Sequence, residues 1–249
     1  MSQFEYHEIK WDGEKVNRIW NYFTKIQKSQ TKWFAELMSS GIINYCKHKG
    51  VEFKNLQILD YGAGKGFLAD LLLTEKKIGK VDVGEFSKEG LEFLKNRYNQ
   101  AQSRVIDLSA TPSKIEDSSY DVVFLIEVVE HLDNFYLEET RKEVYRILKP
   151  GGLIIITTPY NEDLESNKVC CPDCGSIFHR VQHIQSWTLE GIKERFNNFK
   201  PIIVKNTNFF IYKKDLPITK RFLNLIKRLI FINLIKKPHL IYVGKKDQS

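Results

Sequence analysis

No stretch of this 249-residue chain approaches the roughly 20 consecutive apolar residues that a helix needs to cross a bilayer. The opening "MSQFEYHEIKWDGEK" holds no apolar run, which predicts no secretory signal and a cytoplasmic location. Cysteine is scarce, at four residues, too few for a disulfide-built scaffold. In a reducing compartment clustered cysteines read as metal ligands before disulfides. Internal repeats and low-complexity tracts are missing. Acid is missing from residues 216–246, which hold eight of the 38 basic residues. The other 30 face 31 acids, so the formal charge of +7 belongs to the C-terminal tail. That excludes the uniformly basic surface of a nucleic-acid coat, and no nucleic-acid partner is expected.

Two helices are expected within 13–48, because Val16, Trp20 and Phe23 recur at helical spacing, as do Phe34, Leu37 and Met38. Cys46 falls inside this pattern and reads as a small buried hydrophobe. Strand-like and helix-like segments then alternate. "NLQILDYG", "GKVDVGEF", "SRVIDL", "YDVVFLIEVV", "LIIITTP" and "HLIYVG" read as strands. "KGFLADLLLTEK", "SKEGLEFLKNRY" and "LEETRKEVYRIL" read as helices, with Ser87 an N-cap and Pro150-Gly151-Gly152 a stop. Apolar strands alternating with helices predict an α/β protein whose parallel sheet is covered on both faces. Inserts at 160–186 and 217–237 interrupt the alternation.

The first strand ends in Asp60 and runs into Gly62, Gly64 and Gly66. A third glycine at 67 would complete the dinucleotide fingerprint, but that residue is Phe67. No Gly-Lys-Ser/Thr follows, so a phosphate-cradling loop is excluded too. An acid ahead of Gly-x-Gly-x-Gly suits a ligand without phosphates. Glu85 ends the second strand 23 positions after Gly62, and Asp107 with Leu108 ends the third.

With these motifs in order, over roughly residues 55–215, the sequence resembles the class I S-adenosylmethionine-dependent methyltransferases. "YDVVFLIEVVEHL" and "LKPGGLIIITTP" match later motifs of that family. The resemblance implies a Rossmann-like, mostly parallel seven-stranded sheet, with residues 1–50 as an N-terminal helical cap and 51–249 as the cofactor-binding domain. It implies S-adenosyl-L-methionine as cofactor, held by Asp60, Gly62, Ala63, Gly64, Glu85, Phe86, Asp107, Leu108 and Glu127. Glu85 would grip the ribose hydroxyls and Asp107 the adenine amine. Glu85 departs from the commoner Asp.

Methyl transfer from a sulfonium needs alignment above all, and a hydroxyl acceptor also needs help in losing its proton. Glu127, Glu130 and His131 follow the fourth strand and would share a face if a helix begins there. They are the candidate catalytic residues. Two acceptors are implied by resemblance. "WDGEKVNRIWNYF" and "CPDCGSIFHRVQH" are similar to bacterial methyltransferases of surface glycans and small metabolites, with a sugar, glycolipid or small-molecule hydroxyl as acceptor. "EVVEHL", "TPYNED" and "HIQSW" resemble the small-RNA 3′-end 2′-O-methyltransferases, which hold a divalent cation with residues matching Glu127, Glu130, His131 and His183. A non-catalytic module docking to a membrane or partner is the alternative of another class.

Three further expectations complete the reading. Cys171 and Cys174 in Cys-Pro-Asp-Cys-Gly, with His179 and His183 beyond, have the spacing of a structural zinc knuckle, with Cys170 as a replacement ligand. The aromatic-rich helices 13–48 are expected to form a lid over the cofactor cleft. Segment 217–237 is expected to be a basic amphipathic helix touching an anionic membrane surface at its inner face, with Lys220, Arg221, Asn224, Lys227 and Arg228 on one stripe.

Overall fold

The computed structural model describes residues 4–25, 33–75, 78–98, 103–213, 216–220, 222–223, 226 and 236–248. Its element order is β1 (His7–Glu8), α1 (Gly13–Lys25), α2 (Phe34–His48), β2 (Gln57–Tyr61), α3 (Phe67–Thr74), β3 (Lys80–Glu85) and α4 (Lys88–Arg97). Then come β4 (Val105–Asp107), β5 (Tyr120–Ile126), α5 (Asn134–Ile147), β6 (Leu148–Pro159), β7 (Lys168–Cys170), β8 (Ser176–His179), α6 (Leu189–Arg195), β9 (Lys200–Thr207) and β10 (His239–Lys245).

Seven strands form one sheet in the order β4-β3-β2-β5-β6-β10-β9. β10 runs antiparallel to both of its neighbours, and the remaining strands are parallel. Successive side chains of a strand face opposite ways, and the core follows that rule. Ile58, Val122, Phe124 and Ile155 join the apolar cluster with Ile42, Cys46, Leu68 and Leu94. Leu59, Val123, Leu125 and Ile156 join the other, with Val144, Ile147, Trp187 and Phe196. Both faces are therefore covered, as the continuous apolar strands require. Strand order reverses between β2 and β5, and such a reversal opens a ligand crevice at the carboxyl ends of the strands.

Local signals explain the helix ends. Ser87 Oγ accepts from Gly90 N–H at the start of α4, and Asp133 accepts from Tyr136 N–H at the start of α5. Helix α5 ends at Ile147, before Pro150-Gly151-Gly152, and β6 already includes that turn. Asp121 ties strands together by accepting from Gln57 N–H and Lys149 Nζ, at 2.8 Å each.

Two features were not anticipated. The predicted cap divides: α2 is a core helix, with Ile42 and Cys46 wholly buried, whereas α1 buries no residue fully. The 160–186 insert builds a second sheet, in which hairpin β7–β8 is joined by β1 running parallel to β8. Most of 217–237 lies outside the described residues, including Arg221, Asn224, Lys227 and Arg228 of the predicted stripe. Among the described residues no helix is long and apolar enough to cross a membrane.

Candidate functional site

Asp60, Gly62, Gly64, Glu85 and Asp107 meet at the carboxyl ends of the adjacent strands β2, β3 and β4. Gly62, at φ +80°, passes so close to Val128 that an added Cβ would lie 2.8 Å from its Cγ2. Gly64, at φ +55°, faces open space. The first glycine lets the loop turn against β5, and the second leaves room for a ligand against bare backbone. Gly62 and Ala63 N–H both donate to Gly84 O, at 3.0 and 2.9 Å, which fastens the loop to β3.

Glu85 is the hub of this half. Its Oε2 accepts from Gly64 N–H at 3.0 Å, and its Oε1 accepts from the N–H groups of Phe86 and Ser87 at 2.9 and 3.0 Å. Burial raises its pKa, and these donors oppose the rise. Asp60, buried with one oxygen unpartnered, is pushed up to about 7 by burial and by the nearby Glu85 charge. Asp107 pairs with Glu85 in the β3–β4 register and stays exposed, held below the usual carboxylate range by hydrogen bonds from Ser109. Leu108 is buried and its N–H donates to Glu85 O at 2.9 Å. Phe86 sets its ring edge-on to Tyr61, 5.4 Å away.

Glu127 follows the last residue of β5, and its φ of +54° is strained for a residue with a Cβ. Thr157 Oγ1 donates to Glu127 Oε1 at 2.9 Å. One 3-10 turn, Val129–His131, follows in place of the expected helix start. It buries Glu130 completely, with neither carboxyl oxygen hydrogen-bonded. Burial, then the neighbouring Glu127, pushes Glu130 well above the usual carboxylate range, and burial pushes Glu127 up to about 8. Burial and His183 push His131 down to about 3, so its ring is neutral. His131 Nδ1 donates to Gln182 O at 3.2 Å, which leaves Nε2 bare. Gln182 Nε2 donates back to His131 O at 2.9 Å, and Gln182 Oε1 accepts from Trp20 Nε1 of α1 at 2.9 Å. The Trp20 ring stands edge-on to His131 at 4.8 Å.

His183 is brought to this cluster by the insert. One donor atom each from Glu130, His131 and His183 lies within 4.8 Å of the others. His183 Nδ1 lies 2.5 Å from Glu162 Oε2, so Nε2 is the nitrogen it has left to give.

Comparison with known proteins agrees with this geometry. Residues 59–156 match the family model described as a methyltransferase domain. Over these residues the chain is similar to a methyltransferase domain, and it shares the fold of solved S-adenosylmethionine-dependent methyltransferases. A Burkholderia thailandensis 1,6-didemethyltoxoflavin-N1-methyltransferase, solved with S-adenosylhomocysteine, shares the fold at a TM-score of 0.60 and 13% identity over 98% of this chain and 94% of that one. A ubiquinone biosynthesis O-methyltransferase of Rickettsia typhi is 26% identical over 148 residues, 54% of this chain and 58% of that protein. The lovastatin diketide synthase mokB of Monascus pilosus is 26% identical over 168 residues, 64% of this chain and 6% of that protein. The chain thus spans little more than half of the first relative's length and a small part of the second's.

The structure departs from one expectation, the zinc knuckle. Cys171, Cys174, His179 and His183 do not converge. Cys174 is exposed and its thiol donates to Ser176 Oγ at 3.1 Å. His179 is buried and stacks on His183 at 4.6 Å. Among the described residues the cysteines join no group of three or more metal-ligating side chains. The histidines instead share Glu162, in a second group of Glu162, His179 and His183. The reason is the hairpin: Cys171 and Cys174 sit at its turn, and β8 carries His179 roughly 10 Å beyond Ser176 at about 3.3 Å per residue. Sequence reading also missed Glu162 and Gln182. Glu162 lies in "TPYNED", noted only as a resemblance. Gln182 sits at φ +63° and carried no signal.

Proposed function

We propose that this chain transfers the methyl group of S-adenosylmethionine to a hydroxyl of a small molecule, with a divalent cation held by Glu127, Glu130, His131 and His183. One observation carries the reading: Glu130 is buried with both carboxyl oxygens unpartnered, beside two imidazoles whose Nδ1 atoms are engaged elsewhere. A buried, unpaired carboxyl is costly, and an ion beside it removes that cost. Two imidazoles with two carboxylates form a donor set that suits a divalent cation. The hydroxyl acceptor is supported by the likeness to ubiquinone biosynthesis O-methyltransferases, and the cofactor by the Gly62–Gly64 loop with Glu85 and Asp107.

The transfer is an in-line displacement. A carbon–oxygen bond forms as the carbon–sulfur bond breaks, and the sulfur leaves as a neutral thioether. Alignment of the acceptor oxygen with the methyl group is the main requirement. Glu85, Gly64 and Asp107 anchor the cofactor on one side of the reversal point. Gln182 fixes the His131 ring, Thr157 fixes Glu127, and Trp20 shields the cluster from water. The cation, when bound, supplies a Lewis acid that lowers the pKa of a hydroxyl beside it. Tritium-labelled S-adenosylmethionine offered with phenols, catechols and sugars should label a hydroxyl acceptor. The labelling should stop with EDTA and return with Mg²⁺ or Mn²⁺. Transfer that continues in EDTA, or labels nitrogen acceptors alone, would overturn the reading.

A further inference from the structure

We propose that Glu162 and His179 are positioning residues that set the tautomer of His183, so that its Nε2 is the free donor beside Glu130 and His131. This deepens the cation reading above, because it says how the insert shapes one ligand. Its first test is independent of any cation.

His183 N–H donates to His179 Nδ1 at 3.1 Å, so that nitrogen is an acceptor. With Nδ1 accepting, the ring proton of His179 sits on Nε2. His179 Nε2 lies 3.5 Å from Glu162 Oε1, and His183 Nδ1 lies 2.5 Å from Glu162 Oε2. One carboxylate therefore faces two imidazoles, each through a different oxygen. A carboxylate accepts only, so the proton of His183 is drawn to Nδ1 and its Nε2 is left bare. A neutral imidazole in water prefers the opposite tautomer, with its proton on Nε2, and that form could not ligate from Nε2.

The stacking of His179 on His183, at 4.6 Å and 15° between planes, keeps the second ring from rotating. His179 is 4% exposed, and its Nε2 has no hydrogen bond of good geometry. A buried polar atom left in that state needs a reason beyond packing. Holding Glu162 in place from its far oxygen is such a reason. Such outer partners of a ligating histidine typically govern metal affinity by about 10- to 100-fold. Glu162 and His179 also lie on opposite sides of hairpin β7–β8, at the start of the insert and the end of β8. The hairpin thus closes the carboxylate onto both rings, a use that its sequence motif does not reveal.

The test uses the full-length, metal-free protein labelled with ¹⁵N in its histidine rings. Long-range ¹H–¹⁵N correlation spectra should show His131 and His183 protonated on Nδ1 and His179 protonated on Nε2. Glu162→Leu should move His183 toward the Nε2 form and weaken Mn²⁺ binding in calorimetry by about 10- to 100-fold. Glu162→Asp, which keeps the charge, should retain the Nδ1 signal. A wild-type His183 protonated on Nε2, or a tautomer unchanged in Glu162→Leu, overturns the proposal. So does Mn²⁺ binding that is lost in His179→Phe and untouched in His131→Ala, because the cation would then sit on Glu162 and His179. If wild-type protein binds no Mn²⁺, the cation reading fails, and the tautomer spectra still decide this one.

Discussion

The two buried carboxyl groups Glu85 and Glu130 are treated in opposite ways. Glu85, on the cofactor side, accepts from three backbone N–H groups. Glu130, on the acceptor side, is more deeply buried, and neither of its oxygens has a hydrogen-bond partner. Local chain builds the first: strand end, glycine loop and helix start all lie within 57–90. Distant chain builds the second: β5, the insert and α1 each bring one part. A carboxylate satisfied by backbone is a finished binding surface. A carboxyl left bare must take up a proton or a cation, and that cost is the mark of a site open to a partner.

Breaking the acceptor side should give the largest effect. Glu130→Gln removes a ligand and a buried ionisable group together. Methyl transfer should fall by about a thousandfold, within the range usual for proton-handling groups. Metal-free protein should at the same time melt at a higher temperature, because the amide is cheaper to bury than the unpaired carboxyl. Gain of stability with loss of activity is the signature to seek. If Glu130→Gln melts lower and keeps its rate, Glu130 is a structural residue and the contrast with Glu85 collapses.

Breaking the cofactor side should cost less. Glu85→Ala loses a carboxylate shared between the loop and the ligand. Affinity for S-adenosylhomocysteine in calorimetry should weaken by about 2–3 kcal/mol, the scale of a buried charged hydrogen bond. Binding of Mn²⁺ should stay as it was, since the two carboxylates stand on different strands. Loss of both together would show that the halves form one unit.

How far each half could be read from sequence follows from the same contrast. Asp60, Glu85 and Asp107 each end a strand, and consecutive βα units place strand ends side by side, so their meeting was legible. Glu127, Glu130 and His131 were legible as a group because they are neighbours in sequence. Their geometry was not, since Glu127 takes a positive φ and the helix starts only at Asn134. His183 was legible only through resemblance. Glu162 and Gln182 reach the site by tertiary contacts across the insert, and no local periodicity encodes that. The zinc knuckle failed because ligand spacing says nothing about which end of a hairpin each residue occupies. Pairing of β1 with β8 was hidden for the same reason: His7 and Ser176 lie 169 positions apart.

The smallest effect should come from the hydrogen bond by which α1 reaches the acceptor cluster. Trp20 gives its indole N–H to Gln182 Oε1, and Gln182 in turn holds both the ring and the carbonyl of His131. Trp20→Phe keeps an aromatic edge against His131 and removes only that donor. Gln182 is wholly buried, so its oxygen is left without a partner, at a cost of about 1 kcal/mol or a little more. If α1 is a lid, that cost falls on its docking and not on the core, because α1 buries no residue fully. Global melting should then change little, and hydrogen exchange in 13–25 should speed up. S-adenosylhomocysteine should slow that exchange in wild type more than in Trp20→Phe. Equal exchange in the two proteins would show that α1 is held by its other packing, on α4 and Trp33, and that the acceptor cluster stands without it.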